Sequence, residues 1–132
     1  MKKILFIEDE PALQRSLTTF LQEKGYQAIS ALDGDIGMRL ARNEQPDLIL
    51  LDIILPKKNG IEVLKDLRAD ERTSRIPVIM LTNLDASAEV ERAIALGAAT
   101  YLVKANYSPG EVIQKIEQAL TNAPARPDLR AG

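Results

Sequence analysis

Several residues that could carry chemistry stand at the ends of short apolar runs in this sequence. Glu8 and Asp9 follow one run, Asp52 ends a second, and Thr82 and Lys104 stand at the ends of two others. Three carboxylates, a hydroxyl and an ammonium group could together bind a hard metal ion and stabilise the negative charge of a transferring phosphoryl group. They form a site only if the fold brings the ends of these runs together.

The central run covers residues 47–56, Asp47-Leu-Ile-Leu-Leu-Asp52-Ile-Ile-Leu-Pro56. Its branched aliphatic residues show no polar alternation, which is typical of a strand buried on both faces of a parallel sheet. Pro56 prevents a simple continuation of that strand. A carboxylate at the C-terminal end of such a strand lies where α/β folds bind ligands. On this run alone, a turn-capping role for Asp52 fits equally well.

Five strand-like runs alternate with five segments of helical apolar spacing. The runs cover residues 4–7, 26–31, 47–52, 76–81 and 100–103. This alternation predicts right-handed crossovers and an α/β fold, a flavodoxin-like doubly wound (βα)5 domain. We expect a parallel five-stranded sheet in the order 2-1-3-4-5. Residues 1–121 are predicted to form the domain, and residues 122–132, which lack an apolar period, a flexible C-terminal tail.

Composition excludes several other classes of function. The 132 residues are 45% hydrophobic and 27% charged, as in ordinary soluble domains, and the net charge of -2 does not favour nucleic-acid binding by bulk electrostatics. The chain contains no cysteine and no histidine, which excludes disulfides, thiolate chemistry and histidine metal sites. The first apolar run is too short for a signal peptide or a membrane span, so we expect a cytoplasmic protein.

The predicted sheet brings the candidate residues to one edge, because the C-terminal ends of parallel strands lie together. Two unit charges about 4 Å apart repel by roughly 4 kcal/mol at an effective dielectric near 20. The carboxylates of Glu8, Asp9 and Asp52 must therefore share a proton or bind a cation. Oxygen ligands alone suit Mg²⁺. With Lys104 and Thr82 beside them, they predict a phosphoryl-transfer site in which Asp52 is the nucleophile.

Each of these residues also has a plainer interpretation when taken alone. Glu8 and Asp9 are the kind of acids that precede a helix, Thr82 could cap a strand end, and Lys104 could be a solvated surface charge. Their joint occurrence at four strand ends favours the phosphoryl-transfer interpretation.

The sequence resembles the receiver domain of two-component response regulators, of the chemotaxis-regulator type, over residues 2–121. The resemblance rests on six motifs: Ile7-Glu8-Asp9-Glu-Pro, Asp47-Leu-Ile-Leu-Leu-Asp52, Leu55-Pro56-Lys-Lys-Asn-Gly60, Pro77-Val-Ile-Met-Leu-Thr82, Gly97-Ala98 and Tyr101-Leu-Val-Lys104.

The resemblance implies a role for each site residue. Asp52 would accept a phosphoryl group from a sensor histidine kinase or a phosphotransfer protein. Glu8, Asp9, Asp52 and the backbone carbonyl of Ile54 would hold Mg²⁺. In the same way, Thr82 and Lys104 would each contact a phosphoryl oxygen.

The resemblance also implies a switch. Thr82 would move toward the phosphoryl group and Tyr101 would turn into the space left behind, which would reshape the surface of helix 4, strand 5 and helix 5. That surface would bind a downstream protein or output domain, and a phosphorylation-dependent homodimer is left open. We expect no direct nucleic-acid or membrane binding, and no enzymatic activity beyond self-catalysed phosphotransfer and slow autodephosphorylation.

The sequence departs from the family pattern after the lysine, where Ala105 replaces the usual proline of a cis peptide. A cis bond to a non-proline residue costs about 2.5 to 4 kcal/mol, so either that cost is borne or the loop takes another path. Asn83 is larger than the small residue often found there. Ile54 and Leu84 make the rim apolar and offer no side chain to position an attacking water, so we expect slow loss of the phosphoryl group.

The sequence leaves three other functions open besides a phosphoacceptor. The first is a pseudo-receiver, an interaction module that works without phosphorylation. The second is a small phosphohydrolase, although the chain shows no obvious general acid beside Asp52. The third is a flavodoxin-like FMN carrier, which would need a Ser/Thr-rich phosphate loop where this chain has Glu8 and Asp9.

Overall fold

The computed structural model describes residues 1–82, 87–104 and 108–123, and in these ranges five strands alternate with five helices. The strands are β1 (Lys3–Ile7), β2 (Gln27–Ala31), β3 (Leu48–Asp52), β4 (Val78–Thr82) and β5 (Thr100–Val103). The helices are α1 (Pro11–Glu23), α2 (Gly34–Glu44), α3 (Gly60–Ala69), α4 (Ser87–Ala95) and α5 (Pro109–Asn122).

All five strands form one parallel sheet in the order β2-β1-β3-β4-β5, which confirms the predicted fold class and strand order. The order reverses direction between β1 and β3, because β2 lies outside β1 while β4 and β5 lie outside β3. The C-terminal ends of β1 and β3 are therefore neighbours at the position where doubly wound folds bind ligands.

Successive side chains of β3 point alternately into two hydrophobic layers. Leu48 and Leu50 pack with residues of α1 and α5, a layer named here the α1–α5 layer. Ile49 and Leu51 pack with residues of α2, α3 and α4, named here the α2–α4 layer. Because both layers are covered by helices, all four residues are fully buried, and this is why the run shows no polar alternation.

Side chains that precede α3 and α5 cap the N-termini of these helices. Asn59 accepts a hydrogen bond from the Glu62 N–H at 3.0 Å, so α3 begins at Gly60. Ser108 accepts one from the Glu111 N–H at 3.2 Å, and Pro109 follows as the first residue of α5.

Two neighbouring apolar residues of α4 differ in their exposure. Ile94 is 46% exposed, whereas Ala93 is buried. The small side chain of Ala93 occupies the side of α4 that meets the rest of the protein, and one residue further along a helix the chain has turned by about 100°. The last helix continues through Asn122, and the remainder of the predicted tail, residues 124–132, lies outside the described residues.

Within residues 1–82, 87–104 and 108–123, no helix combines the length and the apolarity that crossing a bilayer requires.

Candidate functional site

Three acidic side chains meet at the C-terminal edge of the sheet. Glu8 and Asp9 follow β1, and Asp52 is the last residue of β3, the adjacent strand. One carboxylate oxygen from each lies within 4.8 Å of the others. Glu8 and Asp52 are buried and Asp9 is exposed, so the group opens to solvent on one side. The structure therefore brings together the three carboxylates that the sequence placed at this edge.

Lys104 connects two of these acids directly. Its Nζ lies 2.8 Å from Glu8 Oε1 and donates a hydrogen bond of 3.0 Å to Asp52 Oδ2. The Lys104 N–H also donates to the Thr82 carbonyl oxygen at 2.8 Å, which fixes the end of β5 against β4. The long side chain can thus reach across β4, which separates β5 from β3. It is the cation of the cluster and contacts the Asp52 carboxylate itself.

The surroundings of Glu8 shift its pKa. Burial, followed by its contact with Asp52, raises the pKa of Glu8 to about 8, although Lys104 acts in the opposite direction. Burial alone would lower the pKa of Lys104, but its contacts with Glu8 and Asp52 outweigh that effect and raise it. The ion pair with Lys104 therefore only partly offsets the rise in the pKa of Glu8, because the same ammonium group also pairs with Asp52.

The oxygen atoms of this cluster fit a small divalent cation. Glu8 Oε2 accepts a hydrogen bond from the Asp9 N–H at 3.1 Å. Oε1, which is fully buried, has its ion pair with Lys104 but accepts no hydrogen bond of ordinary geometry from the described part of the chain. This buried oxygen and the two further carboxylates form a suitable ligand set for Mg²⁺, which binds a few protein oxygen atoms and retains several waters.

The backbone around Asp52 is held by the loop that follows it. The Ile54 N–H donates to Asp52 Oδ1 at 3.2 Å, and the Gly60 N–H donates to the Ile53 carbonyl oxygen at 2.7 Å. A Cβ atom at position 60 would lie 2.1 Å from the Asp52 carbonyl oxygen, so only glycine fits there. This contribution of Gly60 was missed in the sequence, where the Asn59-Gly60 pair was the available signal.

The side chains of Thr82 and Tyr101 start on the face of the sheet opposite to that of Asp52. Tyr101 is paired in register with Met80, which packs in the α2–α4 layer, and Thr82 follows Met80 by two residues. Asp52 is paired with Leu81, which packs in the α1–α5 layer. Thr82 is buried, whereas Tyr101 is 39% exposed.

The α5 helix holds Tyr101 through a lysine that the sequence did not single out. Lys115 Nζ donates to the Tyr101 carbonyl oxygen at 2.6 Å and lies 5.1 Å from the centre of the Tyr101 ring. The second contact is a cation–π interaction. Because Tyr101 and Lys115 are fourteen positions apart on two elements, no local pattern could reveal the pair.

This chain matches the family of response regulator receiver domains over residues 4–117. It belongs to that family. The receiver domain is 40% identical over 119 residues to the alkaline phosphatase synthesis transcriptional regulatory protein PhoP of Bacillus subtilis, a match that covers 90% of this chain and 48% of that protein. The receiver domain thus spans about half the length of this relative. It is 38% identical over 104 residues to protein PilH of Pseudomonas aeruginosa, covering 79% of this chain and 86% of PilH.

Solved structures of receiver domains have the same fold. The chemotaxis protein CheY4 of Vibrio cholerae matches with a TM-score of 0.84 and 26% identity, over 90% of this chain and 98% of that one. The receiver domain of the sensor histidine kinase PA1611 of Pseudomonas aeruginosa matches with a TM-score of 0.84 and 28% identity, over 92% and 98% of the two chains. The PA1611 structure has a magnesium ion coordinated in its active site cleft.

The rim of the receiver site is partly apolar, as predicted for Ile54, whose side chain is 63% exposed. The other residues singled out in the sequence around this rim, Asn83, Leu84 and Ala105, lie outside the described residues, and so does the Lys104–Ala105 peptide bond.

Proposed function

We propose that this receiver domain is a phosphoacceptor in a two-component phosphorelay, with Asp52 as the residue that is phosphorylated. The observation that carries the proposal is the surroundings of the Asp52 carboxylate. One of its oxygens is held by the Lys104 ammonium at 3.0 Å, the other accepts the Ile54 N–H, and the carboxylates of Glu8 and Asp9 lie within 4.8 Å. Such a carboxylate is oriented and lies next to groups that stabilise a phosphoryl group.

In the proposed reaction, a carboxylate oxygen of Asp52 attacks the phosphorus of a phosphohistidine. The O–P bond forms as the P–N bond breaks, and the histidine nitrogen keeps the electron pair and takes up a proton. Lys104, already at Asp52, pairs with one oxygen of the transferred group. The hydroxyl of Thr82, at the end of the neighbouring strand, donates to another.

The proposed metal ligands are Glu8, Asp9, Asp52 and the backbone carbonyl of Ile54. A bound Mg²⁺ would supply positive charge against the incoming phosphoryl oxygens. The Asp9 N–H donates a hydrogen bond to Glu8 Oε2, which fixes the orientation of the Glu8 carboxylate next to Asp9. Glu8 Oε1 supports this assignment, because it is buried, lies 2.8 Å from Lys104 Nζ and accepts no hydrogen bond of ordinary geometry from the described residues.

Thr82 and Tyr101 are the proposed switch residues, and the surface of α4, β5 and α5 is the proposed responsive face. The placement of both residues on the same side of the sheet supports this role, because a shift of Thr82 changes the space next to the side chain of Tyr101. Two packings of similar energy are what a switch requires, and a half-exposed aromatic ring can adopt both.

The proposed phosphoryl donor is a sensor histidine kinase or a phosphotransfer protein, and the recipient of the signal is a downstream protein or output domain. We also propose that the protein is cytoplasmic and is not an enzyme, apart from catalysing the uptake and the slow loss of its own phosphoryl group. The exposed aliphatic side chain of Ile54 supports slow loss, because it cannot position a water molecule for attack.

Intact-mass measurement after incubation with acetyl phosphate and Mg²⁺ tests the proposal. We expect the mass of one phosphoryl group on the wild type and on Asp35→Asn, a control that removes an exposed acid of α2, and no addition to Asp52→Asn. The same experiment in EDTA should give no addition. If the wild type gains no mass with acetyl phosphate or phosphoramidate, the chain is instead a phosphorylation-independent interaction module. A phosphoryl lifetime of seconds would contradict slow loss.

A further inference from the structure

A cavity of about 450 Å³ lies at the other edge of the sheet from the acidic cluster. Pro77 immediately precedes β4 and Thr100 begins β5, so the cavity faces the N-terminal ends of these strands, and the last turns of α5 close one side. Its size is in the range of small-molecule sites. The length of a five-residue strand, roughly 17 Å, separates it from the end of the sheet that carries Asp52.

The charge of this cavity is one-sided. Among its described lining residues, the charged ones are Arg68, Arg75 and Lys115, and none is acidic. Three positive charges are concentrated there although the whole chain carries a net charge of -2. The hydroxyl groups of Ser74 and Thr100 and the side-chain amides of Gln118 and Asn122 add hydrogen-bond donors, and the rest of the lining is small and apolar. This combination suits an anion attached to a small apolar body.

Two backbone carbonyl groups hold the guanidinium of Arg68. It donates from Nη1 to the Ile76 carbonyl oxygen and from Nη2 to the Gly97 carbonyl oxygen, both at 2.9 Å. A guanidinium has five N–H donors, and within the described part of the chain the other three have no acceptor. A Cβ atom at position 97 would lie 2.9 Å from Arg68 Nε, so Gly97 makes room for the group.

No carboxylate of the described residues pairs with Arg68, and the side chain is half-buried. Burial lowers the pKa of its guanidinium. A half-buried charge is stabilised when a counterion reaches it. Lys115 has one weak partner of this kind, since its Nζ lies 4.0 Å from Glu111 Oε2, and its strong hydrogen bond is to the Tyr101 carbonyl oxygen. An anion in the cavity would serve both cations.

We propose that this cavity binds a small organic oxyanion, a carboxylate or a phosphate monoester with a compact apolar group. The oxyanion would lie among Arg68, Arg75 and Lys115, and the apolar group would lie against the floor that includes Pro77. This binding site is separate from Asp52 and does not depend on phosphorylation.

Calorimetric titration of the wild-type chain with phenyl phosphate and, separately, with phenylacetate tests the proposal. Both titrations are done in EDTA, where the acidic cluster repels anions. We expect one equivalent of at least one probe to bind, and the comparison shows which head group is preferred. Arg75→Gln and Lys115→Gln should each weaken binding about tenfold, because each removes one charge-assisted hydrogen bond. Lys65→Gln, which removes an exposed cation of α3 outside the cavity, should bind as the wild type does.

Amide chemical shifts of the wild type provide a second measurement that needs no variant. The binding probe should shift the signals of Gly97 and Thr100 and leave that of Asp9 unchanged. The proposal is overturned if neither probe binds, if all three variants bind equally, or if the shifts are spread over the surface. Because no phosphoryl donor is present, none of these results bears on whether Asp52 is phosphorylated.

Discussion

Replacing Gly60 by alanine should impair the site without touching any of its charged groups. The added Cβ would lie 2.1 Å from the Asp52 carbonyl oxygen and 2.8 Å from Ile53 Cα. Both neighbouring atoms belong to the backbone of the strand end and its loop, so neither can move aside as the tip of a flexible side chain would.

The size of the effect follows from these distances. An ordinary contact of a Cβ atom begins near 3.4 Å, so the end of β3 and the start of α3 must separate by about 1.3 Å, the difference between 3.4 and 2.1 Å. Overpacking of this kind costs roughly 3 kcal/mol of the free energy of unfolding. A displacement of about 1 Å of a reacting group can lower its rate about a hundredfold, so we expect phosphorylation of Asp52 to slow to that degree.

Urea denaturation and the rate of phosphorylation by acetyl phosphate measure the two effects. Gly110→Ala is the matched control, because a Cβ atom at position 110 meets nothing within 4 Å. We expect this control to keep the wild-type rate and to gain about 0.5 to 1 kcal/mol of stability, as alanine does in a helix. If Gly60→Ala is phosphorylated at the wild-type rate, the close fit between position 60 and Asp52 does not control the site.

Three further predictions concern stability. In EDTA, the free energy of unfolding of the wild type should fall by roughly 4 kcal/mol relative to that of Glu8→Gln as the pH rises from about 5 to 9. The folded chain keeps the Glu8 proton up to a pKa of about 8, whereas the unfolded chain releases it near 4.5. Urea midpoints at the two pH values measure this difference, and a difference that does not change with pH would contradict the prediction. Leu50→Ala should cost about 3 kcal/mol, because Leu50 is fully buried in the α1–α5 layer, and an unchanged urea midpoint would argue against that packing. Ser108→Ala should cost about 1 kcal/mol by removing the cap of α5, which thermal unfolding would detect.

The order and the type of the elements could be predicted from local patterns. The run around Leu50 lacks alternation because both faces of β3 are covered, and Ser108 begins α5 because its side chain accepts a backbone N–H. The acidic cluster was also predictable, because parallel strands place their C-terminal ends at one edge and β1 and β3 are neighbours.

The contacts that depend on side-chain reach could not be predicted. The ion pair of Lys104 with Glu8 joins the end of β5 to the end of β1, past the ends of β4 and β3, and the pair of Lys115 with Tyr101 joins β5 to α5. The exposure of Ile94 depends on which side of α4 packs against the rest of the protein. The apolar spacing within a helix of nine residues does not determine the rotation of the helix about its axis.

The sheet separates Asp52, the proposed phosphorylation site, from Tyr101, the proposed switch residue. Asp52 extends toward the α1–α5 layer, whereas Tyr101 extends from the opposite face of the sheet, and closely packed aliphatic strands lie between them. In the proposed switch, a signal from Asp52 to Tyr101 would therefore pass around the C-terminal edge of the sheet, where Thr82 is the last residue of β4.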